Sequence, residues 1–172
     1  MLPKLRSGFD AYERQRLDLV GALNTLNEMQ LAWKQTPEDW SILQIVEHLV
    51  LSDELMGRAS DRFIAKSELL IFRVLPPFVR RFLVLSALKR NTVLPLPLAA
   101  MEPRGQSPLG ELRIRWEAVR RVIHTDLDGM TRDTERWFHP ALGPLTAAQL
   151  LDLGRTHAAY HIRQIEAIGQ KQ

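Results

Sequence analysis

The stretch LTAAQLLDLGRTHAAYHIRQIEAIG, residues 145–169, is typical of one long α-helix. It opens with a capping box, in which Thr146 caps the helix and Gln149 reaches back to it, and Gly169 is a natural stop. His157 and His161 lie four residues apart, so a helix places them on one face, about one turn from each other. Two imidazoles in this arrangement can both offer a ring nitrogen to one metal ion at ~2.0–2.1 Å. The stretch therefore predicts a helix that carries two ligands of a metal site.

Three further segments show helical periodicity. The first covers about residues 9–33, with apolar residues at steps of three and four. The second begins at Ser41, which forms a capping box with Gln44, and continues to about residue 63 or beyond. The third begins at Ser107. No strand-like alternation of any length is present, so the sequence predicts an all-α protein, most simply a four-helix bundle.

Residues 66–106 form a long connection between the second and third predicted helices, with prolines at positions 76, 77, 95, 97 and 103. The segment is too apolar for a disordered linker, and we expect one or two short helices followed by an extended stretch. A connection of this length permits a crossover, after which helices 2 and 3 point the same way. We expect a single domain, residues 1–172, with 66–106 as its partly helical insert.

His48, in the predicted second helix, is the candidate third ligand. It lies roughly 10 Å from the start of that helix, while His161 and His157 lie roughly 10 and 16 Å from the end of the last one. If these two helices are antiparallel, all three imidazoles reach a similar level. A histidine pair four residues apart is more often two polar residues on a solvated face, and the sequence alone leaves that alternative open.

Composition excludes several other kinds of site. The chain has no cysteine, which rules out disulfides, thiolate zinc sites, iron–sulfur clusters and cysteine nucleophiles. Its net charge of +3 is too small to imply a nucleic-acid partner, and no recognition helix or zinc finger is recognisable. No apolar run approaches the ~20 residues that span a bilayer, and the N-terminal residues do not resemble a secretory signal. We therefore expect a cytoplasmic protein that does not bind nucleic acid.

Three separated motifs resemble the DinB/YfiT-like superfamily. They are WSILQIVEHL (residues 40–49), FHPALGPLT (138–146) and HAAYHIRQI (157–165). The resemblance implies a four-helix bundle of up-down-down-up type, often a homodimer. It also implies a divalent-metal site, for Zn²⁺, Ni²⁺ or a similar ion, with His48, His157 and His161 as ligands.

The same resemblance implies a metal-dependent thiol S-transferase or hydrolase acting on a small-molecule substrate, with a low-molecular-weight thiol as a possible cosubstrate. None of the three ligands is a carboxylate, and the sequence identifies no catalytic base. Gln164, three residues after His161, and Asp53, five after His48, are weaker candidates for contacts to a ligand or substrate. Both are more often plain surface or packing residues.

Two other kinds of function stay open. The first is a non-catalytic helical binding module whose histidines hold a structural ion or none. The second is a peripheral membrane protein, because residues 66–101 place six basic residues and one acidic residue in a strongly apolar segment. The membrane surface is the less favoured of the two, since such a segment can also pack on the bundle or form a dimer interface.

Overall fold

The computed structural model describes residues 1–57, 75–92, 101–133, 135–139 and 142–172, and within these ranges the chain is predominantly helical. The helices are α1 (Pro3–Leu23), α2 (Glu28–Ala32), α3 (Ile42–Gly57), α4 (Pro77–Lys89), α5 (Leu109–Asp128) and α6 (Ala147–Gly169). Two short antiparallel strands, β1 (Glu135–His139) and β2 (Gly143–Thr146), form a hairpin directly before α6. The prediction of a mostly helical protein is confirmed. Parts of the predicted insert, residues 66–74 and 93–100, lie outside the described ranges.

Both predicted capping boxes are present. The Ser41 hydroxyl accepts a hydrogen bond from the Gln44 backbone N–H at 3.2 Å, and the Gln44 side-chain oxygen accepts from the Ser41 N–H at 3.1 Å. Thr146 and Gln149 make the same reciprocal pair, at 3.4 and 3.0 Å. Each box satisfies donors that the first turn of a helix leaves without a partner. The starts of α3 and α6, the two helices that carry the histidines, are therefore fixed by local sequence.

The structure departs from the predicted elements in two places. The helix predicted over residues 9–33 is two helices, because Asn27 caps α2 by accepting a hydrogen bond from the Gln30 N–H at 2.9 Å. The hairpin was not predicted, because strands of five and four residues are too short to show a clear alternation. Gly143, opposite His139 in the hairpin, has φ of +79°, a conformation that favours glycine.

The core lies between the long helices. Helix α6 packs against α1, α3 and α4, while α5 packs against α1 and α3. A second, smaller apolar cluster joins α4 to the hairpin and α6, and it consists of Val84, Leu88, Leu142, Leu145 and Tyr160. None of the described helices combines the length and apolar character needed to cross a membrane.

A buried polar network ties α3 to α1 and α5. The Asp53 carboxylate accepts hydrogen bonds from the Tyr12 hydroxyl, the Trp116 indole N–H and, at 2.7 Å, Arg120 Nε. The Arg120 guanidinium also lies over the Tyr12 ring, 3.5 Å from its centre, as a cation–π contact. Charges buried this deeply are tolerated only when they are paired and hydrogen-bonded. The network therefore specifies how these three helices meet.

Helix α6 passes close to this network at Gly154. A Cβ at Gly154 would lie 2.8 Å from Tyr12 Cζ, whereas a Cβ at Gly21, near the end of α1, would meet nothing within 4 Å. We expect Gly154→Ala to lower the free energy of unfolding by about 1–3 kcal/mol, because the Tyr12 ring must shift. Gly21→Ala should raise it by about 0.5 kcal/mol, through the better helix propensity of alanine. Urea unfolding of both variants measures this, and equal effects would show that the ring does not rest against Gly154.

Candidate metal centre

His48 is placed by the apolar face of α3. The helix begins after the Ser41 cap, and its buried residues Ile45 and Leu49 pack into the core on either side of the histidine in sequence. His48 itself is only 8% exposed. A histidine is rarely enclosed this far without a partner for its ring nitrogens, so its environment points to a specific role.

His157 and His161 reach the same point from α6. Their rings meet edge to face, with centres 4.5 Å apart, as expected for positions one helical turn apart. The His161 ring centre lies 4.7 Å from that of His48, across the gap between α6 and α3. The structure thus brings together the three histidines that the sequence singled out.

The three rings point their Nε2 atoms at one another. His157 Nε2 lies 3.2 Å from His48 Nε2 and 3.0 Å from His161 Nε2. In the described part of the chain, these histidines form a group that could hold a metal ion, with candidate ligand atoms within 4.8 Å of one another. Three imidazoles from two helices can converge in this way on a divalent ion such as Zn²⁺.

The outward-facing nitrogens of His48 and His161 are held by oxygen acceptors. His48 Nδ1 lies 2.7 Å from the Met101 carbonyl oxygen, and His161 Nδ1 lies 2.7 Å from the side-chain oxygen of Gln164. The Gln164 amide is oriented in turn, because its nitrogen donates to the Tyr160 hydroxyl at 2.9 Å. A carbonyl oxygen only accepts, so in both neutral rings the proton is on Nδ1 and Nε2 carries a lone pair.

This proton arrangement fits a cation at the centre. His157 Nε2 faces two lone pairs, and a proton on it could serve only one of them. At least one nitrogen–nitrogen contact would then be between two acceptors. A divalent ion between the rings satisfies all three lone pairs, and orienting partners on the far side of ligating imidazoles are usual in metal sites.

Burial keeps these imidazoles neutral. It lowers the pKa of His48, lowers that of His157 well below its usual value, and lowers that of His161 to about 3. The neighbouring histidines add to the effect on His157 and His161, since two imidazolium ions side by side repel each other. Neutral rings can bind a metal without first losing a proton.

Comparison with known families agrees with the motifs. A model of the DinB superfamily matches residues 11–165, which is most of the chain and includes all three histidines. The chain belongs to the DinB superfamily. No curated protein and no solved structure gives a significant match.

Two aromatic side chains border the histidine cluster of this DinB superfamily protein. The half-buried Trp40 lies against His48 and His161, with ring centres 5.0 and 6.4 Å away. Tyr160, on α6, meets His161 edge to face at 4.8 Å. Neither residue was predicted from the sequence as part of the site, although Tyr160 directly precedes His161 in the chain. Their aromatic rings pack directly against the imidazoles of the cluster.

The two weaker sequence candidates have different surroundings. Gln164 contacts His161 directly and fixes its proton, as described above. The Asp53 carboxylate instead bonds to Tyr12, Trp116 and Arg120, so its interactions are those of a helix anchor.

His139 lies in the hairpin, where its Nδ1 accepts a hydrogen bond from the Leu142 backbone N–H at 3.3 Å. Burial lowers its pKa to about 4. A charge on His139 would also lower the pKa of His157, so the hairpin lies near the cluster. In the DinB superfamily protein, β1 and β2 therefore bring a fourth histidine to the neighbourhood of the candidate site.

The lowered pKa values predict acid sensitivity. Because the folded pKa of His161 lies below the unfolded value of about 6.5, the unfolded chain binds more protons as the pH falls below that value. Stability of the metal-free protein should then fall by up to about 1.4 kcal/mol per pH unit for each histidine kept neutral. Urea unfolding between pH 7 and about 4 should give a shallower pH slope for His161→Gln than for wild type. The control Ala167→Gln, at an exposed site of α6, should keep the wild-type slope, and an equal slope in His161→Gln would contradict the assignment.

Proposed function

We propose that this DinB superfamily protein is a metal-dependent enzyme that activates a thiol or water for attack on a small electrophilic substrate. In this proposal His48, His157 and His161 bind one divalent ion, with Zn²⁺ or Ni²⁺ favoured. The observation that carries it is the convergence of the three Nε2 atoms, two of which have their lone pair directed inward by an acceptor on Nδ1.

The donor set supports a catalytic rather than a structural ion. Structural zinc sites are usually closed by four protein ligands, whereas three ligands leave a position for water or substrate. Three neutral imidazoles suit Zn²⁺ and Ni²⁺ better than Mg²⁺ or Ca²⁺, which prefer oxygen ligands. When bound, such an ion would lower the pKa of a coordinated water or thiol and so provide a nucleophile at neutral pH.

The chain's own residues would then orient and shield the reacting groups. The Met101 carbonyl and Gln164 hold the imidazoles of His48 and His161 in one tautomer. The rings of Trp40 and Tyr160 cover part of the cluster, which strengthens electrostatic interactions inside it. Thiol transfer and hydrolysis are both proposed from membership of the superfamily, and no contact in the described residues favours one over the other.

We also propose that α1, α3, α5 and α6 form a single four-helix bundle of up-down-down-up type. The packing supports this, because α1 contacts α5 and α6, and α3 contacts the same two helices. Four helices in such a closed ring enclose one core, and sites in bundles are built from side chains on facing helices.

Metal content tests the proposed ligands. Tag-free protein purified after incubation with Zn²⁺ or Ni²⁺ should contain about one ion per chain, as expected for a single site with three protein ligands. His48→Ala, His157→Ala and His161→Ala should each lose it while circular dichroism still shows a helical protein. The control His124→Ala, on α5 and packed edge to face against Phe9, should retain the ion. Inductively coupled plasma mass spectrometry measures all five proteins, and an ion-free wild type would favour the binding-module alternative.

The same preparations distinguish the two reaction types. Zinc-loaded protein would be assayed for loss of a low-molecular-weight thiol with 1-chloro-2,4-dinitrobenzene, and separately for hydrolysis of p-nitrophenyl acetate. Activity that requires the thiol and is lost in His157→Ala supports transfer. Thiol-independent activity with the same loss supports hydrolysis, and activity unchanged in His157→Ala would contradict a role for the metal.

Gln164 should tune the affinity for the ion. Gln164→Leu removes the acceptor on His161 Nδ1, and loss of such a partner typically costs about 10- to 100-fold in metal affinity. Gln164→Glu keeps an acceptor at this position and should bind far more tightly than Gln164→Leu. Chelator competition measures the affinities, with Gln170→Leu at the exposed end of the same helix as the control. Equal affinities for Gln164→Leu and wild type would show that the amide does not support the ligand.

A further inference from the structure

Residues 101–107, here called the strap, cross α3 beside the metal centre. The Met101 carbonyl oxygen takes the hydrogen bond of His48 Nδ1, and the Met101 sulfur lies 3.3 Å from the Ser52 hydroxyl. Four residues later, the backbone N–H of Gly105 donates to Glu47 Oε2 at 2.6 Å. The strap therefore contacts three residues of α3, Glu47, His48 and Ser52, and His48 is a proposed ligand.

Glu47 is a carboxylate at a buried position, only 6% exposed. Placing a charge there costs free energy that an apolar side chain of similar size would not, so the carboxylate needs a compensating partner. The short bond from Gly105 provides one, since hydrogen bonds to an ionised acceptor are about twice as strong as neutral ones. The Glu47 side-chain oxygen therefore holds the Gly105 amide in place.

Two residues of the strap have a defined backbone conformation. Gly105 has φ of +69°, which L-residues rarely adopt, and a Cβ there would lie 3.1 Å from Gln44 Cγ. Pro103, which is buried, has its φ fixed by its ring. Because only three residues separate Gly105 from Met101, and one of them is a buried proline, anchoring the Gly105 amide also limits where the Met101 carbonyl can lie.

We infer that Glu47 is a positioning residue of the metal centre, which acts by anchoring the strap so that Met101 fixes the proton of His48 on Nδ1. The inference rests on the proposed function, in which His48 offers its Nε2 lone pair to the ion. Without the anchor, the carbonyl leaves Nδ1 and the proton distributes between the two ring nitrogens. The fraction of His48 ready to bind the ion then falls.

The tautomer of His48 tests this without any metal. In metal-free wild type, long-range ¹H–¹⁵N spectra should show His48 protonated on Nδ1, with His48→Gln used to assign the signals. Glu47→Ala should shift the proton toward Nε2, whereas Glu47→Gln keeps an oxygen for Gly105 and should retain the wild-type tautomer. Glu54→Ala is the matched control, because it removes the α3 partner of Arg115, a 3.0 Å ion pair that does not involve the strap.

Zinc affinity, measured by chelator competition, is the second readout. Glu47→Ala should weaken binding by about 10-fold, the lower end of the range for partners of metal ligands, since Glu47 acts through the strap. Glu47→Gln and Glu54→Ala should remain near wild type. Gly105→Ala perturbs the same hydrogen bond at its donor residue, because alanine does not readily adopt the φ of Gly105. This variant is used in place of Glu47→Ala if Glu47→Ala does not fold.

Two results separate this inference from the proposed function. A wild type that binds no Zn²⁺ would overturn the proposed function, and the tautomer in the metal-free protein would still decide whether Glu47 orients His48. A wild type that binds Zn²⁺, with unchanged tautomer and affinity in both Glu47→Ala and Gly105→Ala, would overturn the role of Glu47.

Discussion

The meeting of three imidazole nitrogens from two helices constrains the relative position of α3 and α6. His157 Nε2 lies within 3.2 Å of the Nε2 atoms of both His48 and His161. A helix advances about 100° per residue, so a rotation of α3 by a single residue would turn His48 away from the cluster. The distance between the two helices, their rotation and their relative height must therefore all be fixed by contacts elsewhere in the structure.

The rotation of α3 is fixed from its other side. Asp53, five residues after His48, lies about 140° further around the helix and bonds to Tyr12 on α1 and Arg120 on α5. Glu54 adds an ion pair to Arg115 of α5. Removing one member of a buried charged network costs about 3–5 kcal/mol, because the partner is left uncompensated. Helix α3 thus presents His48 on one side and is held in place on another side by the charged contacts of Asp53 and Glu54.

Local sequence was sufficient to predict most of the helices and the three histidines. The capping boxes at Ser41 and Thr146 are satisfied within four residues, and the spacing of His157 and His161 is a property of a single helix, so neither depends on the tertiary fold. His48 could be predicted as the third member of the group because a histidine among the apolar residues of one helix face is unusual. The break at Asn27 also had a local signal, the capping pair with Gln30, which the longer apolar periodicity concealed.

The parts that could not be predicted depend on contacts distant in sequence. A backbone carbonyl has no signature in the amino-acid sequence, so nothing indicated that Met101 would accept a hydrogen bond from a histidine 53 residues earlier. Asp53 resembled a candidate for the site by its spacing from His48, and only the positions of Tyr12 and Arg120 show that it is an anchor. The short strands β1 and β2 are stabilised by packing on α4 and α6, which their own residues do not encode.

Helices α3 and α6 support their histidines in different ways. On α6, His161 Nδ1 donates a hydrogen bond to Gln164, which lies about one turn away in the same helix. The orientation of His161 is therefore determined by local sequence. On α3, His48 depends on the strap, a segment that is 53 residues away in sequence at Met101 and belongs to neither histidine-bearing helix. Changes in the strap can shift the Met101 carbonyl while leaving all three histidines in place. The orientation of His48 can therefore change without any alteration of the three-histidine motif.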